Sequence, residues 1–205
     1  NGTSQYKQGL QYAEKSERTF LSQGYLKASS NWMRSKSREL TALVGLNEWN
    51  KALNVLQDAY SETKGTLFEP KNTLDGKLIG LIQIKNNRID DAISVLSEAF
   101  KNDSTNYGPK HYYTAISQGL LGVAYWKKGD LAKARTELES ARTIINSPDS
   151  LSGDFSESAI QRKTNRFIFE SYMQMLAQTA QNNAQDAETL FLLSDQVNSS
   201  SVQQA

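Results

Sequence analysis

The chain has 205 residues, of which 23 are basic and 22 acidic, and its hydrophobic share of 38% is low for a compact globular domain. Cysteine is absent, which excludes a disulfide framework, a thiolate nucleophile and a cysteine-based zinc site. No stretch approaches the roughly 18 consecutive apolar residues of a membrane span, and the low count of 3 prolines permits long helices.

The N-terminal part is the most basic. The residues up to Arg38 include seven basic and two acidic side chains, whereas the remainder has 16 basic and 20 acidic ones. Such a surplus can mark a face for an acidic partner or nucleic acid, but the solvated face of a helix is the commoner cause. We expect a helix over residues 4–23, so that residues 1–32 form an N-terminal helical cap or partial repeat. Nucleic acid is not an expected partner.

Four later segments share one pattern. Each has a turn residue, an alanine five to seven residues later, a large apolar residue at +4 from that alanine and a small residue at +7. The spacing i, i+4, i+7 places these side chains on one helix face, and alternating small and large residues suit two helices that cross closely. The positions of this packing signature are Ala52, Leu56 and Ala59; Ala92, Leu96 and Ala99; Ala134, Leu138 and Ala141; and Ala187 with Phe191.

A second amphipathic stretch precedes each of these segments, most clearly before Gly129. Gly129 suits the left-handed end of a first helix, and the residue after it, Asp130, suits the N-cap of a second. Gly122 and Tyr125 lie on that first helix, and Gly80 holds the position of Gly122 in the preceding unit. The predicted unit is therefore helix–turn–helix. We place the units at residues 33–72, 73–114, 115–148 and 167–205, with a loop insertion at 149–166 and the start of a connecting helix in the last unit.

These residues resemble the tetratricopeptide repeat. The third unit matches seven signature positions of that family: Leu121, Gly122, Tyr125, Gly129, Ala134, Leu138 and Ala141. The resemblance implies an all-α fold, an α-solenoid in which antiparallel helix pairs stack into a right-handed superhelix. It also implies a role in binding protein partners.

Two further features resemble a particular class of such proteins. Ala52 and Ala92 are 40 residues apart and Ala92 and Ala134 are 42 apart, whereas the ordinary tetratricopeptide unit has about 34 residues. Long units, with a loop such as residues 106–111 between repeats, resemble kinesin-light-chain-like repeats, which also occur in bacterial CHAT-domain proteins. Residues 202–205 are similar to a motif that joins the repeats of those proteins to a caspase-like protease domain. The resemblance implies that the chain is a piece of a longer bacterial protein whose protease domain follows it.

Few residues could carry chemistry of their own. His111 is the only histidine and lies beside Gly108 and Pro109 in an expected loop. A lone histidine there caps the loop far more often than it acts in catalysis or ligates a metal. The spacing of Gly119, Gly122 and Gly129 fits neither a phosphate-binding loop nor a dinucleotide fingerprint. We therefore predict no catalytic residue, metal site or cofactor, and a hydrolase that uses His111 is the weakest hypothesis.

The first helices of tetratricopeptide repeats line a concave groove, and the resemblance assigns positions to it. Basic and aromatic side chains there suit an acidic or amphipathic peptide, because cations steer the ligand and aromatic rings bury area at low entropic cost. The alternative is that neighbouring repeats cover half of these side chains. The predicted groove residues are Arg34, Lys77, Lys85, Trp126, Lys127, Phe169 and Tyr172.

Two functional hypotheses follow. In the first, the chain is a protein–protein interaction scaffold, the regulatory and partner-binding part of a larger CHAT-domain protease. In the second, it is a free-standing adaptor or peptide sensor without an attached enzyme. Either hypothesis is compatible with a cytoplasmic or a periplasmic location.

Overall fold

The computed structural model describes residues 2–147, 158–179 and 186–194. Within these ranges the chain forms ten helices and no strand, which confirms the predicted all-α fold class. The helices are α1 (Gly2–Ser22), α2 (Ser30–Gly45), α3 (Trp49–Thr63), α4 (Pro70–Thr73), α5 (Gly76–Lys85), α6 (Ile89–Tyr107), α7 (Tyr112–Lys128), α8 (Leu131–Ile145), α9 (Ala159–Thr179) and α10 (186–194). None of the described helices has the length and apolar content that a membrane crossing requires.

The chain divides into two compact units, Asn1–Ala99 and Phe100–Ala205, and the division falls within α6. In the first unit α1 packs on α2, α2 on α3 and α3 on α5. In the second unit α7 packs on α8 and on α9. Each unit is thus built from helices that are close in sequence.

A residue in the left-handed conformation separates the helices of three pairs. Asn47 lies between α2 and α3 with φ 61°, Asn87 between α5 and α6 with φ 58°, and Gly129 between α7 and α8 with φ 89°. Asparagine and glycine tolerate positive φ better than other residues. In all three turns the next N–H donates to the carbonyl five residues earlier, at 2.8 to 3.0 Å, which is the main bond of the Schellman motif. The same turn therefore recurs at steps of 40 and 42 residues.

Polar side chains cap the N-termini of α2, α5, α7 and α8. Ser29 accepts from the N–H of the third residue after it at α2, and Asp130 does the same at α8. At α5 and α7 the caps are Asp75 and His111, which accept from the N–H two residues on. The bond to His111 Nδ1 is 3.1 Å long, so the only histidine of the chain starts α7.

Both central helix crossings are made close by a glycine that faces a leucine. A Cβ on Gly80 would lie within 3.0 Å of the Leu96 side chain, and a Cβ on Gly122 within 3.0 Å of that of Leu138. Both leucines are fully buried. The glycine and the leucine are 16 residues apart in each pair, so the two helix pairs use the same contact.

A buried ionic cluster joins α1 to α2. Lys36 Nζ lies 2.8 Å from Glu17 Oε2 and 3.0 Å from Glu39 Oε2, while Trp32 Nε1 donates to Glu17 Oε1 at 2.7 Å. Burial lowers the pKa of Lys36, but its hydrogen bonds to the two carboxylates outweigh burial and leave that pKa raised. Because the polar groups of this cluster hydrogen-bond to one another only when the two helices are correctly aligned, they fix the position of α1 along α2.

Two predicted boundaries differ from the observed ones. Helix α9 begins at Ala159, inside the predicted loop of residues 149–166. Ser158 and Gln161 form a capping box there, since each side chain accepts from the other residue's N–H, at 2.7 and 3.3 Å. In addition, residues 106 and 107 belong to α6 rather than to the predicted loop of residues 106–111, so part of the additional length of that unit is helical.

The predicted register of the fourth unit is wrong. Phe191 is 71% exposed and Ala187 is exposed, whereas Asp186 and Leu193 are buried. The inward face of α10 therefore begins one residue earlier than the alanine pattern indicates. The physical reason is that the carboxylate of Asp186 is satisfied inside the unit by Arg135 and Thr179, so an acidic residue occupies the position expected for a small apolar one.

Candidate protein-binding surfaces

Most of the packing signature is inaccessible to a ligand. In the second helices of the first three pairs, the signature alanines and leucines are at most 9% exposed: Ala52, Leu56, Ala59, Ala92, Leu96, Ala99, Ala134, Leu138 and Ala141. Gly80 and Gly122 are buried at the crossings, and Gly129 is the exposed turn residue. Tyr125, a signature position of the third unit, is half-buried, with Lys133 Nζ 5.1 Å from its ring centroid. These residues hold helices together, and a binding surface must be sought elsewhere.

Three of the predicted groove residues belong to the first unit. Arg34 is exposed on α2. Lys77 is half-buried in the first turn of α5, and its Nζ lies 3.2 Å from Asp75 Oδ1. Lys85 is exposed at the end of α5, with Nζ 5.4 Å from the ring centroid of Trp49. The first helices of this unit therefore do present positive charge at their surface.

Trp126 and Lys127 lie together at the C-terminal end of α7 in the second unit. The Trp126 indole is half-buried, and its Nε1 donates to Gln178 Oε1 at 3.3 Å. Lys127 is exposed, with Nζ 4.2 Å from the ring centroid of Trp126. A cation at this distance interacts favourably with the ring and remains available to an anion. This pair combines the basic and aromatic character predicted for the groove.

The predicted position of Tyr172 in the groove is wrong. It is 2% exposed, and its hydroxyl donates to Glu139 Oε2 at 2.7 Å. Burial and this hydrogen bond raise the pKa of Tyr172, so its hydroxyl remains a donor. Tyr172 therefore joins α9 to α8 and offers no surface to a ligand. Phe169, also on α9, is half-buried.

A cavity of about 440 Å³ in the first unit was not predicted from the sequence. Its wall includes Leu53, Gln57 and Tyr60 of α3, which follow the spacing i, i+4, i+7. The opposite wall is formed by α6. This spacing places the three side chains on one face of α3, beside the face that carries the packing signature. It could have indicated the cavity, but its mixed polar and apolar side chains resemble those of an ordinary exposed helix face.

The comparison with protein families supports the repeat assignment. Residues 72–147 match the family model described as Tetratricopeptide repeat, a range that contains α5, α6, α7 and α8. The comparison with curated proteins found no match. The match covers the two helix pairs with the glycine–leucine crossing and two of the three left-handed turns. Residues 72–147 are therefore similar to tetratricopeptide repeats, a helical fold that generally mediates protein–protein interaction.

Proposed function

We propose that the chain binds an acidic or amphipathic segment of a partner protein through exposed cationic and aromatic side chains of its first helices. The observation that carries this proposal is the pair Trp126 and Lys127, which lies within the range matched to tetratricopeptide repeats. The half-buried indole can contribute apolar contact area, and the adjacent ammonium can pair with a carboxylate. The first unit has exposed cations of its own, Arg34 on α2 and Lys85 on α5.

A peptide array tests this proposal. The labelled chain would be applied to 15-residue peptides of graded acidity, and the affinity of the best binders measured at 50 and 300 mM salt. We expect acidic peptides with apolar residues to bind best, and their affinity to fall as salt rises, because exposed charges are screened.

A charge reversal tests the role of Lys127. Lys127→Glu should reduce the affinity for acidic peptides about tenfold, since attraction becomes repulsion. Lys101→Glu, on the exposed face of α6, is the matched control and should retain binding. Binding that is indifferent to peptide charge contradicts the proposal.

We propose further that the chain is the repeat region of a bacterial CHAT-domain protease, in which partner binding regulates the protease. The long repeat step and the similarity of residues 202–205 to the joining motif support this; the latter residues lie outside the described ones. The test is the gene sequence beyond residue 205, which should encode an α/β region with a histidine and a cysteine. A gene that ends there would favour the free-standing adaptor instead.

A further inference from the structure

The cavity between α3 and α6 has the dimensions of a ligand site. Its volume of about 440 Å³ falls within the roughly 300–1,000 Å³ of small-molecule sites. Leu53, Leu56 and Val95 provide an apolar part of its wall. Such a surface suits the methylene stem of a long side chain, which gains from leaving water while its polar end stays hydrated or paired.

The positive charges of the cavity are already paired. Arg88 Nε donates to Asp91 Oδ2 at 2.9 Å, and Lys71 Nζ lies 3.0 Å from the carboxylate of Glu69. Glu98, by contrast, has no ion-pair partner within the described residues. The uncommitted charge at the cavity is therefore negative.

The polar groups of the cavity wall also favour a hydrogen-bond donor. Within the part of the chain that the structure describes, Gln83 Oε1 is buried and accepts no hydrogen bond, which is costly unless a donor is supplied. Tyr60 lies where burial and the negative charges of Glu69, Asp91 and Glu98 raise the pKa of its hydroxyl. A cation that entered this region would meet the carboxylate of Glu98 and an unsatisfied acceptor.

We propose that this cavity binds the side chain of an arginine presented by a partner protein. A guanidinium group has five donors in a plane, enough to serve Glu98 and the amide oxygens of the wall together, and its flat face can lie on the Tyr60 ring. A lysine ammonium is a compact charge with three donors and matches a spread of acceptors less well. The proposal goes beyond the proposed function, because the ligand has the opposite charge and the wall is built mainly from second helices.

The test uses three small probes and the whole chain labelled with ¹⁵N. The probes are the Nα-acetyl methylamides of arginine, citrulline and lysine, of which citrulline has nearly the shape of arginine without the charge. We expect the arginine probe to shift the side-chain NH₂ signals of Gln57 and Gln83 in a saturable way. Citrulline should bind about tenfold more weakly, since it loses the charge-assisted hydrogen bonds. Equal binding of arginine and citrulline, or of arginine and lysine, would overturn the assignment.

Two variants locate the site. Glu98→Gln should weaken arginine binding about fivefold, the effect of one partly solvated ion pair, while Asp58→Asn, an exposed change on α3 outside the cavity wall, should leave it unchanged. Both side chains are exposed, so neither change should unfold the chain. If the two variants bind arginine alike, the site is elsewhere. Lys127→Glu should retain arginine binding, and Glu98→Gln should retain acidic-peptide binding, so this proposal and the proposed function can fail separately.

Discussion

The hydroxyl of Tyr172 on α9 donates to Glu139 Oε2 on α8 at 2.7 Å, and Arg142 Nε donates to the same oxygen at 3.1 Å. The hydrogen bond from Arg142 lowers the pKa of Glu139 against the effect of burial, and the bond from Tyr172 adds to this. One carboxylate oxygen thus accepts hydrogen bonds from residues of two helices. A ring that the repeat pattern assigns to ligand binding is part of the contact between α8 and α9.

Removal of the Tyr172 hydroxyl should destabilise the chain without affecting peptide binding. Tyr172→Phe keeps the buried ring and loses one hydrogen bond to a charged acceptor. Because Arg142 still pairs with Glu139, we expect a loss of only about 1 kcal/mol in the free energy of unfolding. Urea unfolding followed by circular dichroism measures it. Tyr12→Phe, at a tyrosine 72% exposed on α1, should have no effect. A loss of acidic-peptide affinity in Tyr172→Phe would show that Tyr172 contacts the peptide.

The same carboxylate should make the chain sensitive to acid. The pKa of Glu139 is lowered in the folded state, so its contribution to stability is present above the ordinary value of 4.5 and is lost as the pH falls through the folded pKa. The pKa of Asp186 is also lowered from its ordinary value of 3.8, mainly by the hydrogen bond with Arg135. The stability that Asp186 contributes is therefore lost in acid as well. Unfolding by urea at pH 6 and at pH 3 should show the decrease.

The control for this pH dependence is a pair of variants. Glu139→Gln removes the titrating group, so the difference in stability between pH 6 and pH 3 should shrink. Glu14→Gln changes an exposed carboxylate on α1 and should keep the difference of the unchanged chain. Equal pH dependence in both variants would show that Glu139 is not a source of the acid sensitivity.

The close helix crossings predict opposite effects for two glycine substitutions. Gly122→Ala places a methyl group within 3.0 Å of Leu138, and we expect a loss of about 1–3 kcal/mol from overpacking. In Gly9→Ala the new Cβ would lie 3.9 Å from Ala42 Cβ, an ordinary contact, so higher helix propensity should stabilise α1 by about 0.5–1 kcal/mol. Thermal unfolding distinguishes the two signs. Stabilisation by Gly122→Ala would mean that α7 and α8 can separate at no cost.

The sequence predicts what depends on apolar spacing and turn chemistry. The alanines and leucines of three second helices recur at fixed intervals, and Gly129 marks a turn that only a few residue types tolerate. The pattern fails where polar groups are buried in pairs, as at Asp186, because a sequence read for apolar spacing does not show which charges find partners. It also fails for the cavity wall, since residues such as Gln57 and Glu98 have the composition of an ordinary solvated face.

The pair of Arg135 and Asp186 gives the last prediction, because its two members are buried to different extents. The Asp186 side chain is 1% exposed and that of Arg135 is 40% exposed. Arg135→Ala leaves a buried carboxylate whose remaining side-chain donor among the described residues is Thr179. We expect a loss of about 2 kcal/mol, below the roughly 3–5 kcal/mol of a fully buried pair. Asp186→Ala leaves a guanidinium that water can reach, and it installs the small residue common to the other second helices, so its loss should be smaller. The double variant should be more stable than Arg135→Ala alone, since no charge is then left unpaired. Urea unfolding of the four chains measures this order, and equal losses in the two single variants would show that burial of Asp186 does not decide the stability of this contact.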